Sequence, residues 1–326
     1  MDAVMNLMWL GLGLGLLYFG AEWLVGGSSD IALRLGVSPL VVGLTVVAFG
    51  TSAPELVVSL QANLDPAIKP DIAVGNIVGS NICNIALLLG LAAVIRPLML
   101  GSQVVKRELP ILCGVSVVFV AMLWDGEIER WEGLVLVAGI CVYLWLTVRL
   151  AKRYPHDVVE AGDADESLEK ARSGGGRRLA LDLFKVAVGL AVLVAGANRA
   201  ILGGVELARL VGVSEAVIGL TLVALGTSLP ELATTVVAAS RHESDLITGN
   251  VVGSNLFNMM LVMGVAASIK PIHVEHIRHS DLFVMLAATF VLVPFFVGRT
   301  FRLNRIEGGL LLLGYAGYCV WLFVAK

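Results

Sequence analysis

GTSAPE, residues 50–55, stands between the apolar runs VVGLTVVAF (41–49) and LVVSL (56–60). A glycine, two hydroxyls, a proline and a carboxylate thus interrupt an otherwise oily segment. The interruption occurs twice, because residues 226–231 read GTSLPE in similar surroundings. If the segment is a helix, Pro54 has no N–H to give to the carbonyl of Gly50, four residues back. A backbone opened at membrane depth is tolerated only where it faces protein or a wet cavity. Thr51, Ser52 and Glu55 then share one helical face beside it, since side chains three and four apart are neighbours.

Composition fixes the solvent. Of 326 residues, 57% are hydrophobic and only 15% are charged, and the mean hydropathy is +0.87. Soluble domains carry about 25% charged residues. Ten apolar segments lie near 4–27, 38–61, 71–95, 108–124, 132–150, 181–203, 213–239, 247–269, 281–297 and 306–325. Most are long enough to span a bilayer as helices. A transmembrane β-barrel needs alternating stretches of about ten residues, and these blocks are continuous. The fold class is therefore an all-α integral membrane protein with ten transmembrane helices. The first apolar run follows no basic stretch and is read as a retained helix. Cys83, Cys113, Cys141 and Cys319 share no metal-ligand spacing and are read as buried free thiols.

The two halves match. Gly43, Thr45, Gly50, Thr51, Ser52, Pro54 and Glu55 correspond to Gly219, Thr221, Gly226, Thr227, Ser228, Pro230 and Glu231 at a constant offset of 176. GNIVGSNICN (75–84) corresponds to GNVVGSNLFN (249–258) at 174, and RWEG (130–133) to RIEG (305–308) at 175. Residues 1–150 form the first five-helix repeat, with its motif at 43–90. Residues 181–326 form the second, with its motif at 219–264. Residues 151–180 form a polar, Gly-rich linker. An odd helix count sends the second copy through the membrane the other way, an inverted repeat with its site at the midplane. With the linker cytoplasmic, 16 of the 23 Lys and Arg residues fall inside and 7 outside. That favours both termini outside.

Each copy supplies oxygens in a pattern hard cations use. The first offers Thr51, Ser52, Glu55, Ser80 and Asn84; the second offers Thr227, Ser228, Glu231, Ser254 and Asn258. Intramembrane acids are rare and usually functional. Two carboxylates brought together repel unless a cation or protons lie between them. One Ca²⁺, two Na⁺ or two H⁺ would each neutralise the pair.

These motifs resemble the two α-repeats of the sodium/calcium exchanger branch of the Ca²⁺/cation antiporter superfamily, prokaryotic type. The resemblance implies secondary active exchange of Ca²⁺ for Na⁺ at four midplane subsites, in a prokaryotic plasma (inner) membrane. It makes Glu55 and Glu231 the central acids. Thr51, Thr227, Ser52, Ser228, Ser80 and Ser254 become oxygen donors, joined by the backbone carbonyls of Ala48 and Ala224, with Asn84 and Asn258 completing the centre. It also implies that the first and sixth helices form a sliding gate. No cofactor beyond the transported ions is expected, and no enzyme activity, nucleic acid or obligatory protein partner. Many family members carry Asp where this chain has Asn258, so the site holds two acids instead of three. The linker is too short for the Ca²⁺-sensing domain of animal exchangers, and DADE (163–166) lacks the EF-hand glycine. Exchange of Ca²⁺ for H⁺ through the same acids is the alternative.

Other features are read structurally. His273, His276 and His279 fall in an outside loop without a counterpart in the first copy. Glu22 is read as an interface residue, GLGLG (11–15) as helix packing, and Trp124 and Trp131 as interface anchors.

Overall fold

The structure is a computed structural model and describes residues 3–66, 69–153, 175–212, 224–274, 279–297 and 301–324. All ten expected segments are helical within those residues. They are α1 (Ala3–Leu35), α2a and α2b (Pro39–Thr51 and Ala53–Leu64), α3 (Asp71–Ile95), α4 (Leu109–Met122) and α5 (Arg130–Arg153). The second half has α6 (Gly175–Leu210), α7a (Ala224–Thr227), α7b (Leu229–Ser240), α8 (Ser244–Ile269), α9 (His279–Val297) and α10 (Arg305–Val324). Among the described residues, α1, α3, α5, α6 and α8 are each long and apolar enough to cross a membrane, and the bent α2 pair makes a sixth.

Two boundaries differ from the sequence reading. α1 continues past its apolar run to Leu35, and at 33 residues it is roughly 50 Å long. That exceeds the ~30 Å hydrocarbon core of a bilayer. The polar overhang is held by ion pairs to α6, Arg34 with Asp182 and Asp30 with Lys185, and Lys185 also pairs with Asp182 within α6. Gly36, at φ +65, ends the helix in the left-handed conformation that glycine adopts without strain. The expected linker is also shorter, because α5 runs to Arg153 and α6 starts at Gly175. Residues 154–174, DADE included, and residues 213–223 of the seventh segment lie outside the described residues.

The halves pack on each other through matched contacts. Gly13, Gly20 and Gly27 of α1 and Gly189, Gly196 and Gly203 of α6 repeat every seven residues, which keeps each set on one stripe. A Cβ on Gly20 would lie 2.7 Å from Leu193 N, one on Gly189 2.8 Å from Leu24 N, and one on Gly203 2.6 Å from Leu10 N. Residue numbers rise along α1 as those of their α6 partners fall, so the helices run antiparallel, backbone against backbone. Close packing of this kind substitutes in lipid for the hydrophobic drive of water.

Short strands add further ties: β1 (Leu98–Met99), β2 (Glu127–Ile128), β3 (Ile272–His273) and β4 (Arg302–Leu303). β1 pairs antiparallel with β4, and β2 with β3. Advancing 98 by 174 and 128 by 175 turns the first pair into the second, with the halves exchanged. The backbone approaches of Gly90 to Gly308 and of Gly264 to Gly133 are related in the same way.

The π-helical turn Val104–Glu108, just before α4, buries a charge. Glu108 accepts from Tyr143 Oη at 2.9 Å and from Gln103 Nε2 at 3.2 Å, and pairs with Arg107 at 2.6 Å. Removing such an acceptor leaves its donors unsatisfied. Glu108→Leu should cost about 2–3 kcal/mol of stability, read as a lower melting temperature in detergent, with Glu108→Gln losing less. Equal losses for the two variants would show that shape, not charge, matters at this position.

Candidate cation site

The interruption seen in the sequence is a break in the helix. At Ser52 the backbone turns to φ −81, ψ 3, and α2a and α2b meet at 43°. Pro54 falls in the first turn of α2b, where its missing N–H costs nothing. Ser228 repeats the break at φ −89, ψ 6, followed by Pro230 in the first turn of α7b. A Cβ on Gly50 would strike Leu190, and one on Gly226 would strike Ile201, both on α6. Each break sets a glutamate in the first turn of a new helix, Glu55 in α2b and Glu231 in α7b. There the positive end of the helix dipole favours a carboxylate. The ends of α2a and α7a offer the opposite polarity, suited to a cation. Ala48 lies in that last turn, its carbonyl accepting the Ser52 N–H at 3.0 Å with Thr51 Oγ1 3.5 Å away. Ala224 is the first residue of α7a.

α3 and α8 complete the site. Both contain a π-helical stretch, Cys83–Leu89 and Phe257–Val262, at matching positions. Such widened turns recur at functional sites. Ser80 Oγ donates to Glu55 Oε1 at 3.3 Å and lies 3.1 Å from Ser228 Oγ. Asn258 Nδ2 donates to Ser80 Oγ at 3.2 Å. Thr51 Oγ1 lies 3.5 Å from Ser254 Oγ. Thr51 and Ser52 neighbour Glu231, Thr227 neighbours Glu55, and the two carboxylates repel each other. Both glutamates are 0% exposed. The structure thus brings together Thr51, Ser52, Glu55, Ser80, Thr227, Ser228, Glu231, Ser254 and Asn258. Asn84 joins them through Asn255, whose Oδ1 takes its amide at 3.0 Å.

The cluster is rich in acceptors, although the amide nitrogens of Asn250 and Asn255 behind it are also buried without a partner. Ser52 Oγ, Glu55 Oε2, Asn84 Oδ1, Asn258 Oδ1 and both Glu231 oxygens are buried without a hydrogen-bond partner. Among the described residues no lysine or arginine pairs with either glutamate. Uncompensated buried acceptors are costly, and a hard cation that prefers oxygen ligands would satisfy them together. No group of three or more His, Cys, Asp or Glu forms a metal site among the described residues.

The sequence reading passed over Asn76, Asn81, Asn250 and Asn255, which hydrogen-bond to its predicted ligands. Their duplication at the same offset of 174 was the available signal. Elsewhere, His273 pairs with Glu127 at 2.9 Å and His279 packs on the Trp124 ring at 4.7 Å. His276 lies outside the described residues. Glu22 pairs with Arg241, in keeping with an interface role. Cys83 and Cys113 are buried and Cys319 is half-buried. Cys141 is exposed on α5, a correction to its reading as a buried thiol. An apolar run in a membrane protein can turn its side chains toward lipid as readily as toward the core.

These features define a class: a multi-pass helical membrane protein with a buried, oxygen-lined polar cluster between two like halves. The family model described as sodium/calcium exchanger protein matches residues 5–149 and 182–324, and the chain belongs to that family. The inner membrane protein YrbG of Escherichia coli is 36% identical over 95% of this chain and 94% of its own length. The sodium/calcium exchanger MaX1 of Methanosarcina acetivorans is 32% identical over 98% of each. Among solved structures, the sodium-calcium exchanger NCX_Mj soaked with 10 mM Na⁺ and zero Ca²⁺ superposes with a TM-score of 0.83. It is 30% identical, covering 98% of this chain and 99% of that one.

Proposed function

We propose that this protein is a secondary active antiporter that exchanges Ca²⁺ for Na⁺ by alternating access. The set of buried, partnerless oxygens around Glu55 and Glu231 carries the reading. Their ligands are Thr51, Ser52, Ser80, Asn84, Thr227, Ser228, Ser254 and Asn258, with the carbonyls of Ala48 and Ala224. One divalent ion, or monovalent ions in its place, balances the two acids, and that mutual exclusion couples the fluxes. The ions are the whole cargo, with no cofactor and no obligatory protein partner. The site lies between inverted five-helix repeats at 1–150 and 181–326, joined by a cytoplasmic linker near 151–180. Both termini are outside, in a prokaryotic plasma (inner) membrane. The antiparallel α1 and α6, the paired strands and the 16-to-7 distribution of basic residues support that arrangement.

Exchange of Ca²⁺ for H⁺ is the second reading. It is favoured by the acid count, since two protons would neutralise Glu55 and Glu231 completely and Asn258 adds no third charge. Purified protein in vesicles, supplied with radiolabelled Ca²⁺, separates the two. A Na⁺ gradient should drive uptake at pH equilibrium on both sides, and a pH gradient without Na⁺ should not. The reverse result would select protons, and uptake under neither gradient would refute both readings.

A further inference from the structure

Four hydrogen bonds around the site form two related pairs. Thr51 Oγ1 donates to Asn250 Oδ1 at 3.2 Å, and Thr227 Oγ1 donates to Asn76 Oδ1 at 3.2 Å. Asn84 Nδ2 donates to Asn255 Oδ1 at 3.0 Å, and Asn258 Nδ2 donates to Asn81 Oδ1 at 3.1 Å. In every case the acceptor asparagine belongs to one half and the donor to the other. Exchanging the halves converts each bond into its mate. Asn81, Asn250 and Asn255 are each 1% exposed, so water does not serve in their place.

We propose that Asn76, Asn81, Asn250 and Asn255 are positioning residues. Each fixes a proposed ligand of the opposite half so that the ligand turns lone pairs, not protons, toward the ion. A threonine hydroxyl has one proton and two lone pairs. Once that proton is committed to Asn250 or Asn76, only acceptor capacity remains. A side-chain amide has an acceptor end and a donor end, and a cation is repelled by the second. With the Nδ2 of Asn84 committed to Asn255, and that of Asn258 to Asn81 and to Ser80 Oγ, their Oδ1 atoms are left over. Both are among the buried oxygens without a partner.

The orientation is pinned one step further back in the first half. Asn81 Nδ2 points at the thioether of Met285, 3.8 Å away. A thioether has no hydrogen to donate, so Asn81 keeps its donor end there and its Oδ1 toward Asn258. Asn76 Nδ2 donates to Ser59 Oγ at 3.2 Å and to the backbone carbonyl of Glu55, which likewise has no hydrogen to give, at 3.5 Å. Partners of this kind behind metal ligands are typically worth about 10–100-fold in affinity.

The inference rests on the cation-site reading, and its test separates the two. Ca²⁺ binding to the full chain in detergent is measured by titration calorimetry, with the melting temperature recorded for every variant. Asn81→Leu should weaken Ca²⁺ binding about tenfold or more in the native background and less than about threefold on Asn258→Ala. Asn81→Asp, which keeps an acceptor facing Asn258, should retain binding. The same fold-loss in both backgrounds, native binding by Asn81→Leu, or an equal loss in Asn81→Asp would overturn the proposal. If Asn81→Leu does not fold, Asn250→Leu on Thr51→Val runs the equivalent cycle at the hydroxyl pair with the same criteria. A native protein that binds neither Ca²⁺ nor Na⁺ would sink the cation-site reading and this inference together. Native binding with additive variants would sink the inference alone.

Discussion

Glu55→Gln and Glu231→Gln should each reduce gradient-driven Ca²⁺ uptake at least ~100-fold, while the ion-free protein becomes more resistant to heat. The loss follows from what the amide brings. Glutamine replaces one carboxylate oxygen with an N–H, which cannot coordinate a cation, and removes a unit charge from a site with no basic counterpart. Losing about 3 kcal/mol of ion stabilisation corresponds to about two decades in affinity. The gain in stability comes from the other side of the same balance. Two fully buried carboxylates disfavour each other and their own desolvation when no ion separates them. Neutralising one relieves both costs without changing the shape of the side chain. Transport assays and melting curves with and without Ca²⁺ test the two halves of the prediction. The native protein should gain melting temperature on adding Ca²⁺, because a ligand of the folded state stabilises it, and the variants should not. Variants that keep full transport would remove both acids from the site.

Gly20→Ala should be far more damaging than Gly11→Ala, although both add one methyl group to the same helix. At Gly20 the new Cβ would lie 2.7 Å from Leu193 N and 2.9 Å from Gly189 O, both backbone atoms of α6. Backbone cannot rotate aside as a side chain can, so the two helices must separate. Overpacking of this kind costs about 1–3 kcal/mol. The loss should spread along the stripe, since Gly13, Gly189 and Gly196 share the same close approach. A Cβ on Gly11 meets nothing within 4 Å, and alanine there also favours the helix. Melting temperature in detergent and vesicle uptake give the comparison. Equal behaviour of the two variants would mean that α1 and α6 do not depend on this contact.

Much of this was legible in the residues because lipid imposes a simple rule. Apolar runs must be helices, so ten segments could be marked, and each is helical where the structure describes it. The duplicated motif could be located because proline and an acid are conspicuous in such a run. Hydropathy could not see that α1 extends to Leu35, since its last turns are held by Arg34 and Asp182 instead of by lipid. The strands escaped notice because two residues are too few to show an alternating pattern, and their partners lie in the other half. Asn76, Asn81, Asn250 and Asn255 stood in plain view inside the repeated motif. Their function depends on which atom of which amide meets a residue more than 150 positions away, and spacing along one helix carries no such information. The π-helical stretches were hidden because their sequences, CNIALLL and FNMMLV, carry no marker that separates them from α-helix.

The strand pairs bear on how the molecule comes into being. β1 follows α3 and finds its partner only after α9 has been made; β2 follows α4 and must wait for the turn after α8. A nascent chain with only its first five helices therefore lacks the partners of β1 and β2 and half of the candidate site residues. Closure has to come late in synthesis, and it comes at both edges through partners made near the end. The two halves are thus tied together at both strand pairs, and the candidate site cannot be complete before α8, which carries Ser254 and Asn258, has been made.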